Sequence, residues 1–127
     1  MRSQEGQRHT FLVVDDERDV LDSVRRLFRQ DYEIHIAESA ERAFEILDQR
    51  DIHLIMSDQR MPSMTGVEFL SRVKARHPSI VRMLFTGYAG DINAVIDAIN
   101  EGHVYRYIHK PFDPAELKTV VNQAAEY

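Results

Sequence analysis

The sequence predicts a three-layer α/β fold, a doubly wound five-stranded parallel sheet with five helices on its two faces. Two observations carry that reading. Short apolar runs and stretches of helical apolar spacing alternate five times along the 127 residues, and strands that alternate with helices pair in parallel because right-handed crossovers leave few other arrangements. The length and the 43% hydrophobic content fit one domain with a sizeable core and leave no room for a second.

The elements follow in order. Residues 1–9 are polar, contain Gly6 and show no periodicity, so a flexible leader is expected ahead of a domain over residues 10–127. Thr10, Phe11, Leu12, Val13 and Val14 form a continuous apolar run that stops at Asp15, Asp16 and Glu17, the pattern of a strand buried on both faces and entering an acidic loop. Val20, Leu21, Val24, Leu27 and Phe28 then recur at helical spacing with Arg18, Arg25, Arg26 and Arg29 mostly on the other faces, giving a helix over about 18–29. Residues 32–37 alternate as a second strand. Ser39 can cap a second helix reaching about Gln49.

The run Leu54, Ile55, Met56 is the third strand, and it delivers Asp58 into a loop with Met61 and Pro62. Thr65 and Glu68 are spaced as a capping box for a third helix through Val67, Phe69, Leu70 and Val73, closed by His77 and Pro78. Residues 80–85 make a fourth strand ending at Thr86 and Gly87. Ile92, Val95, Ile96 and Ile99 mark a fourth helix closed near Gly102. Residues 104–108 form the fifth strand and run into His109, Lys110, Pro111 and Phe112. Asp113, Pro114 and Glu116 then supply an N-cap, a first-turn proline and a first-turn acid for a last helix.

Composition narrows the function classes. A net charge of −5, from 16 basic and 21 acidic residues, gives no electrostatic footprint for nucleic acid or anionic lipid. The absence of cysteine removes disulfides and thiolate metal sites, and no apolar run has membrane length, so a cytoplasmic protein is expected. The six histidines show neither a metal-ligand pair at helical spacing nor a catalytic pattern.

The alternation places Asp15, Asp16, Asp58, Thr86 and Lys110 at the carboxyl ends of four strands, on one edge of one sheet, where open parallel sheets bind ligands. Taken singly, each has an ordinary explanation: a solvated acidic loop, a turn, a strand-end cap, a surface lysine. Together they describe a site. Converging carboxylates repel one another unless a cation neutralises them, and hard oxygen donors suit Mg²⁺ or Mn²⁺. Mg²⁺ bound by few carboxylates favours phosphoryl chemistry, in which an aspartate can be the nucleophile and an ammonium such as Lys110 offsets developing charge.

The ordered set Asp15-Asp16, Asp58 with Met61-Pro62 and Gly66, Thr86-Gly87 and Lys110-Pro111 resembles the receiver domain of two-component response regulators, with its flavodoxin-like, chemotaxis-protein-like fold, over residues 11–125. The resemblance implies that Asp58 is the site of phosphorylation by a sensor histidine kinase or phosphotransfer protein. It implies that Asp16, Asp58 and the Arg60 carbonyl bind the metal directly, with Asp15 acting through water, and that Lys110-Pro111 is a cis peptide. Thr86 and Tyr107 take the switch positions, and Lys110 pairs with the phosphoryl group. The face of the fourth helix, fifth strand and fifth helix becomes the output surface. Its exposed Asp91, Asn93, Asp97, Asn100, Glu101, Arg106, Glu116 and Lys118 suit a symmetric homodimer. Residues 98–112 resemble receivers joined to cyclic-dinucleotide phosphodiesterases or to transcription activators, so an effector domain outside this chain is a possible output.

Such a protein is a switch that catalyses only its own phosphorylation and dephosphorylation. Its alternative is a pseudo-receiver, an interaction module that never turns over phosphate. A haloacid-dehalogenase-type phosphatase needs a second acid where Arg60 stands, and a nucleotide-binding fold wants a glycine-rich turn where Asp15, Asp16 and Glu17 stand.

Overall fold

The computed structural model covers the chain and describes residues 8–87 and 92–126. Five strands, β1 (Thr10–Val14), β2 (Glu33–Ala37), β3 (Leu54–Asp58), β4 (Val81–Thr86) and β5 (Arg106–His109), alternate with α1 (Arg18–Phe28), α2 (Ala40–Gln49), α3 (Gly66–Arg76), α4 (Ile92–Asn100) and α5 (Pro114–Ala125). The strands form one sheet in the order β2-β1-β3-β4-β5, every pair parallel. This is the expected doubly wound, three-layer architecture. The order reverses between β1 and β3, which makes the gap beyond their carboxyl ends the topological switch point.

Strand periodicity distributes the core. Leu12 and Val14 pack with α2, α3 and α4 on one face, whereas Phe11 and Val13 pack with α1 and α5 on the other. β1 and β3 are buried along their whole length, so the residues that follow them are delivered from the most enclosed part of the molecule. Phe11, Phe28 and Tyr32 meet edge to face, with ring centroids 5.4–5.8 Å apart.

Local chemistry explains most boundaries. Ser39 accepts the Arg42 N–H at the start of α2. Thr65 and Glu68 exchange both capping-box hydrogen bonds at the start of α3. Asp113 occupies the N-cap position of α5, with Pro114 behind it, but its side chain makes no capping hydrogen bond, so the expected cap acts through backbone geometry alone. α4 differs more. Only Val95 of the four apolar markers is fully buried, joined by Ala98, while Ile92 and Ile96 are 40% and 46% exposed. The apolar stripe of this helix is wider than the surface that covers it.

The expected leader lies outside the described residues except for Arg8 and His9, and these two are tied down. Arg8 Nη1 donates to the Arg29 carbonyl at 2.9 Å, and the His9 carbonyl accepts the Glu33 N–H, extending the β1–β2 ladder by one rung. No helix among the described residues is long and apolar enough to cross a membrane.

Candidate functional site

The switch point gathers acids because of strand register. Val14 pairs with Ser57, so the next residues of the two chains, Asp15 and Asp58, emerge side by side at the carboxyl edge. Oxygens of Asp15, Asp16 and Asp58 all lie within 4.8 Å of one another. Asp15 and Asp58 are buried, with 0% and 7% exposure, and Asp16 is exposed. Burial is the main reason the Asp58 carboxyl is pushed up to about 6; the Asp15 charge adds to it, and Lys110 and the Gln59 backbone counteract it. Burial likewise raises the Asp15 carboxyl, against the Glu17 N–H and Lys110.

Lys110 reaches the cluster from the end of β5. Its Nζ lies 2.9 Å from Asp15 Oδ2, 3.3 Å from Asp58 Oδ1 and 3.3 Å from Glu17 Oε1, with the Phe85 ring 5.0 Å away. Burial works against its charge, but the carboxylates outweigh it and raise the ammonium above its ordinary range. The Lys110-Pro111 peptide is cis. Asp15 is held on both oxygens, by Lys110 and by the Glu17 N–H at 2.9 Å. Its geometry is therefore fixed by the protein, while Asp16 faces solvent.

Thr86 closes β4, 4% exposed, immediately after Phe85, the register partner of Asp58. Its carbonyl accepts the Lys110 N–H at 2.9 Å, which couples the ends of β4 and β5. Arg60 is exposed two residues beyond Asp58. Tyr107 stands on β5 opposite Leu84 with 39% exposure. Asp91, expected on the output face, lies outside the described residues, as does the stretch 88–91.

Two contributors, Glu17 and Gln59, escaped the sequence reading, and Gly66 was named there without its packing role. Glu17 is a further carboxylate partner of Lys110. Gln59 is 4% exposed; its side-chain oxygen accepts the Val67 N–H at 2.9 Å, and its carbonyl accepts the Gly66 N–H at 2.8 Å. Gly66 packs so closely beneath the loop that a Cβ there would overlap the Asp58 carbonyl oxygen and meet Leu84 Cδ1 at 2.8 Å. The third acid after Asp15 and Asp16 was a visible signal for Glu17. The other two depend on backbone approach.

The donor set can hold a small hard cation. It is all oxygen, it converges within 4.8 Å, and one lysine faces several carboxylates, two of which burial pushes above the usual carboxylate range.

Comparison with known proteins gives a consistent pattern. Residues 11–122 match the response regulator receiver domain family. The hydrogenase transcriptional regulatory protein HoxA of Cupriavidus necator is 42% identical over 117 residues, which cover 92% of this chain and 24% of that protein. The signal receiver domain of an HD domain-containing protein from Pseudomonas fluorescens superposes with a TM-score of 0.88 at 36% identity, over 94% of this chain and 88% of that one. The response regulator TrrA of Thermotoga maritima, solved in complex with Mg²⁺ and beryllium fluoride, superposes with a TM-score of 0.79 at 26% identity, over 91% and 98%. The chain spans about a quarter of the length of curated relatives such as HoxA.

Proposed function

Because this chain belongs to the receiver domain family of response regulators, we propose that it is a phosphorylation-dependent switch of a two-component system, with Asp58 accepting the phosphoryl group of a sensor histidine kinase or phosphotransfer protein. The observation that carries this reading is the convergence of Asp15, Asp16 and Asp58 at the switch point with Lys110 bridging two of them.

Asp16, Asp58 and the Arg60 carbonyl would hold Mg²⁺ or Mn²⁺, with Asp15 beside them; the bound ion would neutralise charge on the phosphoryl oxygens. A carboxylate oxygen of Asp58 attacks the phosphorus of the phosphohistidine. The P–N bond breaks, its electron pair returns to the imidazole, and a mixed anhydride remains on Asp58. Lys110, already 3.3 Å from Asp58 Oδ1, pairs with a phosphoryl oxygen, and Asp15 holds it by a hydrogen bond of 2.9 Å. Attack of water on the phosphorus reverses the modification, breaking the P–O bond to restore the carboxylate and release phosphate.

Phosphorylation turns a monoanion into a group near −2 with several acceptor oxygens. The Thr86 hydroxyl moves toward that group, Tyr107 turns inward into the space released, and the α4-β5-α5 face changes shape. That face is the output surface, toward an effector domain, a partner or a second copy of the chain. Intact-mass analysis after incubation with Mg²⁺ and acetyl phosphate tests the core of the reading. One phosphoryl adduct is expected on the wild type and none on Asp58→Ala; no adduct on a folded wild type would point to an interaction module that works without phosphate.

A further inference from the structure

α4 is fastened at one end. A helix leaves its last carbonyls without intrahelical partners, and its C-terminus favours cations. Here two cations from neighbouring elements meet the carbonyls that follow α4. Lys74 Nζ, from α3, donates to the Glu101 carbonyl at 3.0 Å. Arg82, from β4, donates through Nε to the His103 carbonyl at 2.9 Å and through Nη2 to the Gly102 carbonyl at 3.0 Å. Its remaining nitrogen, Nη1, donates to Ile80 at 2.7 Å and Pro78 at 3.3 Å, so one guanidinium joins the α4–β5 and α3–β4 loops. The planar fork suits several carbonyls at fixed angles, a task an ammonium performs less well.

The chain itself reinforces that end. Gly102 takes φ +78°, and the Ala98 carbonyl accepts the His103 and Val104 N–H groups at 2.9 and 3.3 Å. Among the described residues the opposite half of the helix has little hold. Among residues 92–96 only Val95 is buried. β4 runs antiparallel to α4, so the strand that carries Arg82 beside the fastened end carries Thr86 beside the loose one.

We infer that Arg82 and Lys74 are positioning residues that pin the C-terminal end of α4, so that the response to phosphorylation of Asp58 is confined to its N-terminal half. This rests on the receiver reading above. The pin converts a small inward shift at Thr86 into a pivot of α4 about residues 100–103, instead of a displacement of the whole helix. Exposed Ile92 then travels furthest, and exposed Ile96 less.

Amide hydrogen exchange on the full chain, with Mg²⁺ alone and with Mg²⁺ plus beryllium fluoride as phosphoryl mimic, reads this directly. In the wild type, exchange is expected to change over residues 92–96 and to stay within about twofold over 98–104. Arg82→Met should raise exchange over 98–104 by about tenfold or more and spread the beryllium fluoride response along the helix. Lys74→Met should do so more weakly, and Arg82→Lys should recover part of the confinement, which a merely space-filling Arg82 would not require. A wild-type response uniform along α4, or variants that exchange like the wild type over 98–104, would overturn the pin. Mass spectrometry of the same samples with acetyl phosphate separates the two levels. An adduct with a uniform response removes only the pin, whereas no adduct removes the receiver reading and the pin with it.

Discussion

At the scale of single residues the site is poised between attraction and repulsion. Asp58 titrates near 6 in the folded chain, against about 4 when unfolded, because burial and Asp15 outweigh Lys110. The folded chain therefore binds that proton more tightly. The resulting stability is present below pH 4 and lost as the pH rises through 6, leaving an ionised Asp58 that costs the fold about 3 kcal/mol at most. Asp58→Asn should accordingly be more stable than the wild type in metal-free urea denaturation at pH 7–8, with the difference shrinking steadily toward pH 4.5. Parallel stability curves across that range would show that burial does not govern Asp58. Asp15, Asp16, Asp58 and Lys110 were legible in the sequence because acids and an ammonium at strand ends have few other reasons to share an edge. Gln59 was not, since its role depends on being 4% exposed and aimed at the Val67 N–H.

At the scale of elements, short-range chemistry was readable and tertiary cover was not. The capping box of α3, the Ser39 cap of α2 and the end of α3 at His77 all appear as the spacing predicts, because each is decided within about four residues. β5 begins at Arg106, two residues later than the apolar run suggested, because Val104 is absorbed into the core contact behind α4 and only then does the ladder with β4 start. Gly66 shows tertiary packing overruling helix propensity. As the first residue of α3 it would gain up to about 1 kcal/mol as alanine on propensity alone. Overlap with the Asp58 carbonyl oxygen and Leu84 reverses that sign, and overpacking of this kind costs about 1–3 kcal/mol or more. Gly66→Ala should lower the thermal midpoint and reduce the rate of phosphoryl adduct formation together. A midpoint at or above that of the wild type would show that the loop gives way freely.

At the scale of the whole molecule, topology turns separate strand ends into one site, and that was the most legible level of all: five alternations allow little besides a doubly wound parallel sheet. A divalent ion that binds only the folded arrangement must stabilise all of it, by about 2.7 kcal/mol at one hundred times its dissociation constant. Raising Mg²⁺ should therefore raise the melting midpoint of the wild type and leave that of an Asp16→Asn, Asp58→Asn double variant unmoved. A rise that persists in the double variant would place the ion elsewhere. The strand order has a mechanical consequence as well. β1 and β3 each have a strand on both sides, whereas β5 is held by β4 alone, so displacing β5 disturbs one ladder where displacing β3 would disturb two. Stiffness thus falls across the sheet like that of a leaf spring clamped at its middle, with the acid cluster at the clamp and the proposed output surface at the free end.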